Sequence, residues 1–184
     1  MKNILRILCS TITIVVLFLP AVTSAKSGAV IDLEVDETIG AFKEAVKGSE
    51  VFLDQAAGVL IFPRVIKIGM AIGAETGEGA LRVRGQTIDY YRTTGGSFGL
   101  QLGAQAKSVV IAFMTKESLE KFQNSQGWKV GLDGSVALID IGAGKTIDSQ
   151  NIKDPVVGFI FGSKGLMANL TLEGSKFSKL NKEE

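Results

Sequence analysis

The chain has 184 residues, 20 of them basic and 19 acidic, and 22 glycines, well above the ordinary share of about 7%. It contains no histidine and a single cysteine, Cys9. That excludes Ser-His-Asp triads, histidine acid–base catalysis and nearly every transition-metal site. A near-neutral balance supplies no field to draw the chain to nucleic acid.

Lys2 and Arg6 open the chain, an apolar run covers 7–19, and Pro20 leads to Thr23-Ser24-Ala25. This is the three-part pattern of a secretory signal peptide, with cleavage expected after Ala25. The run is shorter than the roughly 20 residues that span a bilayer, which favours cleavage over a retained anchor. Cys9 lies near the start of the run, where lipidation is not expected, so the mature chain carries no thiol and must rest on its core. The 159 residues remaining of 184 suit one core rather than two. The expected organisation is a signal peptide over 1–25, a linker over 26–32, one domain over 33–176 and a charged tail over 177–184. The expected location is the periplasm or cell envelope.

The stretch "DLEVDETIGAFKEAVKGSEVFLDQAA" predicts helix, with Val35, Ile39, Phe42 and Val46 forming one apolar stripe. Asp36 and Glu37 suit a helix start, Gly48-Ser49 a break, and Ser49 the cap of a second helix ending near Gln55. Residues 32–54 hold seven acids and two lysines, whereas 64–129 hold nine basic groups and five acids. Mutual attraction of acidic head and basic middle is one reading of that asymmetry.

From Gly58 onward short strand-like runs follow: "GVLIF", "VIKIGMAIGAE", "GALRVRG", "TIDYYRT", "SFGLQLGAQ", "SVVIAFM", "WKVGLDGSVALIDIG", "VVGFIFGS" and "GLMANLTLE". "KESLEKFQNS" interrupts them as one helix, with Thr115 as N-cap and Leu119 and Phe122 inward. Strands that do not alternate with helices predict an α+β fold. A single domain is expected, with a mainly antiparallel, strongly twisted, glycine-rich sheet or barrel-like core, an N-terminal helical segment and one mid-chain helix. Within this core Gly69, Gly73, Gly77 and Gly79 recur in one strand region, and Gly99 and Gly103 in another. Strand glycines mark a bend or a close backbone approach. A tightly curved sheet explains them; a shallow groove lined by Gly69, Gly73, Gly99 and Gly103 is the sharper alternative.

Two signatures fail. "DIGAGKTI" resembles the end of a phosphate-binding loop, but Ile139 stands where its first glycine belongs. Gly77-x-Gly79 is followed by Arg82 where a dinucleotide fingerprint needs glycine. The carboxylate pairs Glu75/Glu78, read as flanking a turn, and Asp133/Asp140 carry no motif. No catalytic residue, metal or cofactor is expected.

"AAGVLIFPRVIKIG", "GAETGEGAL", "SFGLQLGAQ" and "GFIFGSKGLMANLTLEG" stand in the order and spacing of the SYLF domain, and "SVVIAFMTKESLEKF" and "WKVGLDGSVA" fit between them. The chain resembles that family over essentially all of 33–176. The resemblance implies a lipid-binding or actin-associated domain; in an exported bacterial-style member it points to lipid rather than actin. The family's basic amphipathic N-terminal helix is here acidic, with only Lys43 and Lys47 against its carboxylates. The expected function is a non-catalytic module for phospholipid or an anionic membrane surface. Arg64, Lys67, Arg82, Arg84 and Lys129 are its candidate lipid-binding residues, and Arg82 and Arg84 are expected to share one sheet face. A protein-interaction or structural envelope component is the alternative. Trp128 and Tyr90-Tyr91 suit a membrane interface, but the core reading is preferred.

Overall fold

In the computed structural model, residues 26–139, 153–162, 165–166 and 172–182 are described; at 69–72, 97–105 and 165–166 the description is of the backbone. The segment read as a signal peptide and the "DIGAGKTI" segment from Asp140 onward lie outside the described residues.

Two very long strands organise the fold, β1 (Gly58–Val83) and β2 (Gln86–Phe113). They pair antiparallel from Gly58↔Phe113 to Val83↔Gln86. Arg84 and Gly85 form the connecting turn with φ of 52° and 78°, the positive values that a two-residue type I′ hairpin requires. Six runs read separately in the sequence are therefore two continuous strands. Register shifts at Phe62/Val65, Gly69/Ala71 and Leu81/Arg82 absorb the irregular residues without ending the pairing.

The ribbon curls back on itself. A β-carbon at Gly77 would lie 2.6 Å from the Arg64 carbonyl oxygen, and one at Gly79 would fall onto the Ile61 carbonyl. Glycine at both positions lets the two ends of β1 cross in contact. Lys107 on β2 bridges to Glu75 on β1 at 2.7 Å, both side chains largely buried, and so fastens the curl.

The rest of the sheet builds on the free edge of β2. At one end β5 (Val156–Gly162) pairs with Ser108–Phe113, and parallel β4 (Ala137–Leu138) and antiparallel β6 (Gly165–Leu166) join β5. At the other end β7 (Lys176–Leu180) pairs with Tyr90–Thr94 and carries β3 (Trp128–Lys129). The residues expected to be a charged tail thus include a strand, with Phe177 buried in the core. Alternation of polar and apolar residues around Phe177 is masked by lysines, but Lys179 pairs with Asp89 at 2.6 Å.

Period-two alternation sorts side chains to the two sheet faces. Leu60, Phe62, Val109, Ile111 and Phe113 face an inner core with Trp128 and Phe177, closed by α3 (Lys116–Gln123). As read from the sequence, Thr115 caps α3, accepting from Ser118 N at 3.1 Å, and Leu119 and Phe122 are buried. Phe122 lies 4.7 Å from Phe113 and 4.9 Å from Tyr91 between ring centroids. Val59, Ile61, Val110, Ala112, Val157 and Phe159 face the opposite way, toward α1 (Gly28–Ala45) and α2 (Ser49–Gln55). The helix stripe is Ile31, Val35, Thr38 and Phe42. Thus α1 begins inside the stretch expected to be a linker, capped by Ser27, and Gly48 in the left-handed region precedes α2, so Ser49 is its first residue rather than its cap. Trp128 and Tyr91 are core residues, as preferred.

Candidate functional site: a basic-rimmed cleft between the helices and the hairpin tip

The docking of α1 on the hairpin places the site. Asp32 accepts from Thr87 Oγ1 at 2.6 Å and from the Tyr90 hydroxyl at 2.8 Å. Arg82 reaches across to Asp36 at 2.9 Å and to Asp32 at 3.6 Å. The acidic head and basic middle therefore do attract each other, through Arg82. Beside these contacts, α1, α2, the start of β1 and the turn enclose a cleft of about 480 Å³. Ile39, Leu53, Ala56 and Val59 supply apolar lining, while Lys43, Arg82 and Arg84 bring three cations and Asp54 one carboxylate.

The three cations differ in their freedom. Lys43 Nζ pairs with Glu50 at 3.0 Å in an exposed bridge, a kind worth little in water. Arg82 donates Nη1 to the Gly85 carbonyl at 3.2 Å and Nη2 to the Asp32 carbonyl at 3.4 Å, while its Nε is buried with no acceptor among the described residues. Arg84, exposed at the turn, has no ion pair with a described carboxylate. The bulge at Leu81/Arg82 and the turn at Arg84 break the simple alternation. The two guanidinium groups line one cleft instead of projecting in step from one sheet face.

The remaining candidates are dispersed. Arg64 is exposed on β1 and Lys67 half-buried three residues on, and neither lines this cleft. Lys129 lies on β3 opposite Lys176, two like charges side by side at another edge of the sheet. Gly69 pairs with Gly103, Gly99 with Ala71 and Gly73 with Ser97, so the four glycines are brought together as a cross-strand band of backbone. Among the described glycines, close approach to backbone is seen at Gly77 and Gly79. Lys43, Leu53 and Ala56 were not candidates in the sequence, because their role depends on α1 and α2 docking beside a turn that lies far downstream in the chain.

Glu75 and Glu78, read as flanking a turn, lie within β1 and both face cations. Arg92 donates to Glu78 Oε1 at 2.6 Å and Lys182 to Oε2 at 3.1 Å. Burial of the Glu78 carboxyl opposes ionisation, yet the hydrogen bonds and charges of Arg92 and Lys182 outweigh it, holding its pKa below the ordinary 4.5. Burial, aided by the Asp89 charge, pushes the Tyr91 hydroxyl up to about 12. Among the described residues no group of three His, Cys, Asp or Glu side chains is placed to hold a metal, and no helix is long and apolar enough to cross a membrane.

An α+β fold with Glu75 and Glu78 held in ion pairs, and with a cleft of apolar lining and cationic rim beside the hairpin tip, fits a binding domain. Residues 94–184 match the Ysc84 (SYLF) family model, described as a Las17-binding protein actin regulator, in agreement with the SYLF resemblance of the sequence. The match begins within β2, at Thr94, and β1, which carries the upstream resemblance, pairs with β2 along its length. No curated protein matches the chain. SYLF domains are generally binding rather than catalytic domains, which fits a non-catalytic module here.

Proposed function

We propose that this protein is a lipid-binding module of the bacterial cell envelope that engages anionic phospholipid surfaces after export. Export is supported by the 1–25 segment, whose basic start, apolar run and Thr23-Ser24-Ala25 end suit a cleaved signal peptide. The observation that carries the lipid reading is Arg84, exposed without a carboxylate partner among the described residues on the rim of an apolar cleft, with Arg82 and Lys43 beside it. Each basic group near an anionic leaflet contributes about 1 kcal/mol of attraction, so a few suffice for a reversible contact.

The test is flotation of residues 26–184, which hold every described element, with neutral and anionic vesicles at low and high salt. Binding to anionic vesicles that fades with salt is expected, and Arg84→Glu should weaken it by about tenfold. Absence of binding to any vesicle would overturn the reading. A protein partner is the second reading, favoured by β1, whose strand partner among the described residues is β2 alone. An extended segment adding to its other edge would be the expected mode.

A further inference from the structure

We infer that the cleft between α1, α2 and the hairpin turn holds the tail of a single-chain amphiphile whose head is anionic, and so captures one lipid molecule instead of only touching a surface. The inference rests on the lipid part of the proposed function and names the ligand class of that site. At about 480 Å³ the cleft falls within the size range of small-ligand sites, roughly 300–1,000 Å³. It offers room for one chain rather than for the two of a diacyl phospholipid. Its apolar residues come from three elements: Ile39 of α1, Leu53 of α2 with Ala56 just beyond, and Val59 of β1. A small hydrophilic anion would leave this lining wet and use only the rim.

Charge selects the head. Three cations against the single carboxylate of Asp54 line the cleft, and they are not equally committed. Arg84 has no described carboxylate partner. The Lys43–Glu50 bridge is exposed and easily exchanged for a ligand oxygen. Arg82 is balanced by Asp36 and Asp32 and spends both terminal nitrogens on α1 and the turn, while its Nε is buried without an acceptor among the described residues. An anionic head at the turn would meet Arg84 directly, with Lys43 able to exchange its exposed bridge for a head oxygen. Membrane attraction alone gives no reason for an apolar-lined recess beside these cations, whereas a chain-and-head ligand uses both.

The experiment is calorimetric titration of residues 26–184 with monomeric alkyl carboxylates and alkyl phosphates from hexyl to dodecyl. Alkyl maltosides and inorganic phosphate serve as the neutral-head and tail-free arms. Affinity should rise about fourfold per added methylene until the cleft is full. Maltosides should bind at least tenfold more weakly, and inorganic phosphate should give no heat. Ala56→Phe, which fills the cleft, should remove binding. Leu53→Gln, at a half-buried position packed on the helix-side core, should weaken it tenfold or more, with a urea midpoint confirming that the variant is folded. Arg84→Glu should reduce affinity while preserving the increment per methylene. Affinity independent of chain length, equal binding of inorganic phosphate, or binding unchanged in both cleft variants would overturn the inference. Failure here with flotation retained would leave the membrane module standing without a lipid pocket. Monomer binding without flotation would do the opposite.

Discussion

A β-carbon at position 79 would fall on the Ile61 carbonyl and within 2.8 Å of the Phe62 ring. The obstructing atom is backbone, in a strand held by its ladder to β2, so it cannot yield as a flexible side chain would. Gly79→Ala is therefore expected to force the two ends of β1 apart, destabilising by about 3 kcal/mol, the upper range of overpacking. Gly40, inside α1, provides the control: nothing lies within 4 Å of an added β-carbon there. Gly40→Ala should stabilise by about 1 kcal/mol through helix propensity. Urea denaturation of both variants checks the pair. Equal effects would mean that the crossing of β1 over itself does not depend on the missing side chain.

At the scale of elements, the curl that brings Gly79 to Ile61 also joins Lys107 of β2 to Glu75 of β1. With side chains 9% and 13% exposed, this is a nearly buried pair. Removing one partner leaves an uncompensated charge, while replacing both with apolar groups of similar size removes the desolvation cost as well. Lys107→Met should cost about 3 kcal/mol, and Lys107→Met with Glu75→Leu should recover most of it. Thermal melts of the two variants and the parent would show it; a double variant no better than the single one would assign the pair a steering role in folding. These elements also show what the sequence reveals and what it hides. The stripes on α1 and α3 were legible because three- and four-residue spacing survives any tertiary context. The joining of six runs into β1 and β2 was not, because Pro63, Gly69, Gly73 and Gly95-Gly96 read locally as punctuation, while register shifts carry the ladder past Pro63 and Gly69 and regular pairing carries it through Gly73 and Gly95-Gly96. β7 was hidden by its lysines, whose partners lie on distant strands. Arg82 and Arg84 were legible as a basic pair. The apolar half of their cleft was not, since Leu53 and Ala56 reach it only after α1 and α2 have docked beside the turn.

At the scale of the molecule, one carboxylate gathers the two ends of the described chain. Glu78 of β1 binds Arg92 of β2 and Lys182 beyond β7, and Lys182 also donates to the Lys26 carbonyl at 2.7 Å, just ahead of α1. This junction carries a defined pH dependence. The folded pKa of Glu78 is held below 4.5, chiefly because its two cationic hydrogen-bond donors overcome the opposing effect of burial. A group whose folded pKa is depressed adds stability above its unfolded pKa and loses it as pH falls through the folded value. The contribution is thus complete at neutral pH, begins to fade near pH 4.5 and is gone once the folded carboxyl is protonated. Glu78→Gln keeps the shape without the charge. The parent should be the more stable protein at pH 7, and the gap should close as pH falls below about 4. Denaturant midpoints from pH 7 to pH 3 measure that convergence directly. Hydrogen exchange at the first turn of α1 should rise in the variant at pH 7, since Lys182 loses the partner that holds it against Lys26. A gap that persists unchanged at pH 3 would mean that Glu78 stabilises by packing, leaving its charge no part in joining the ends of the chain.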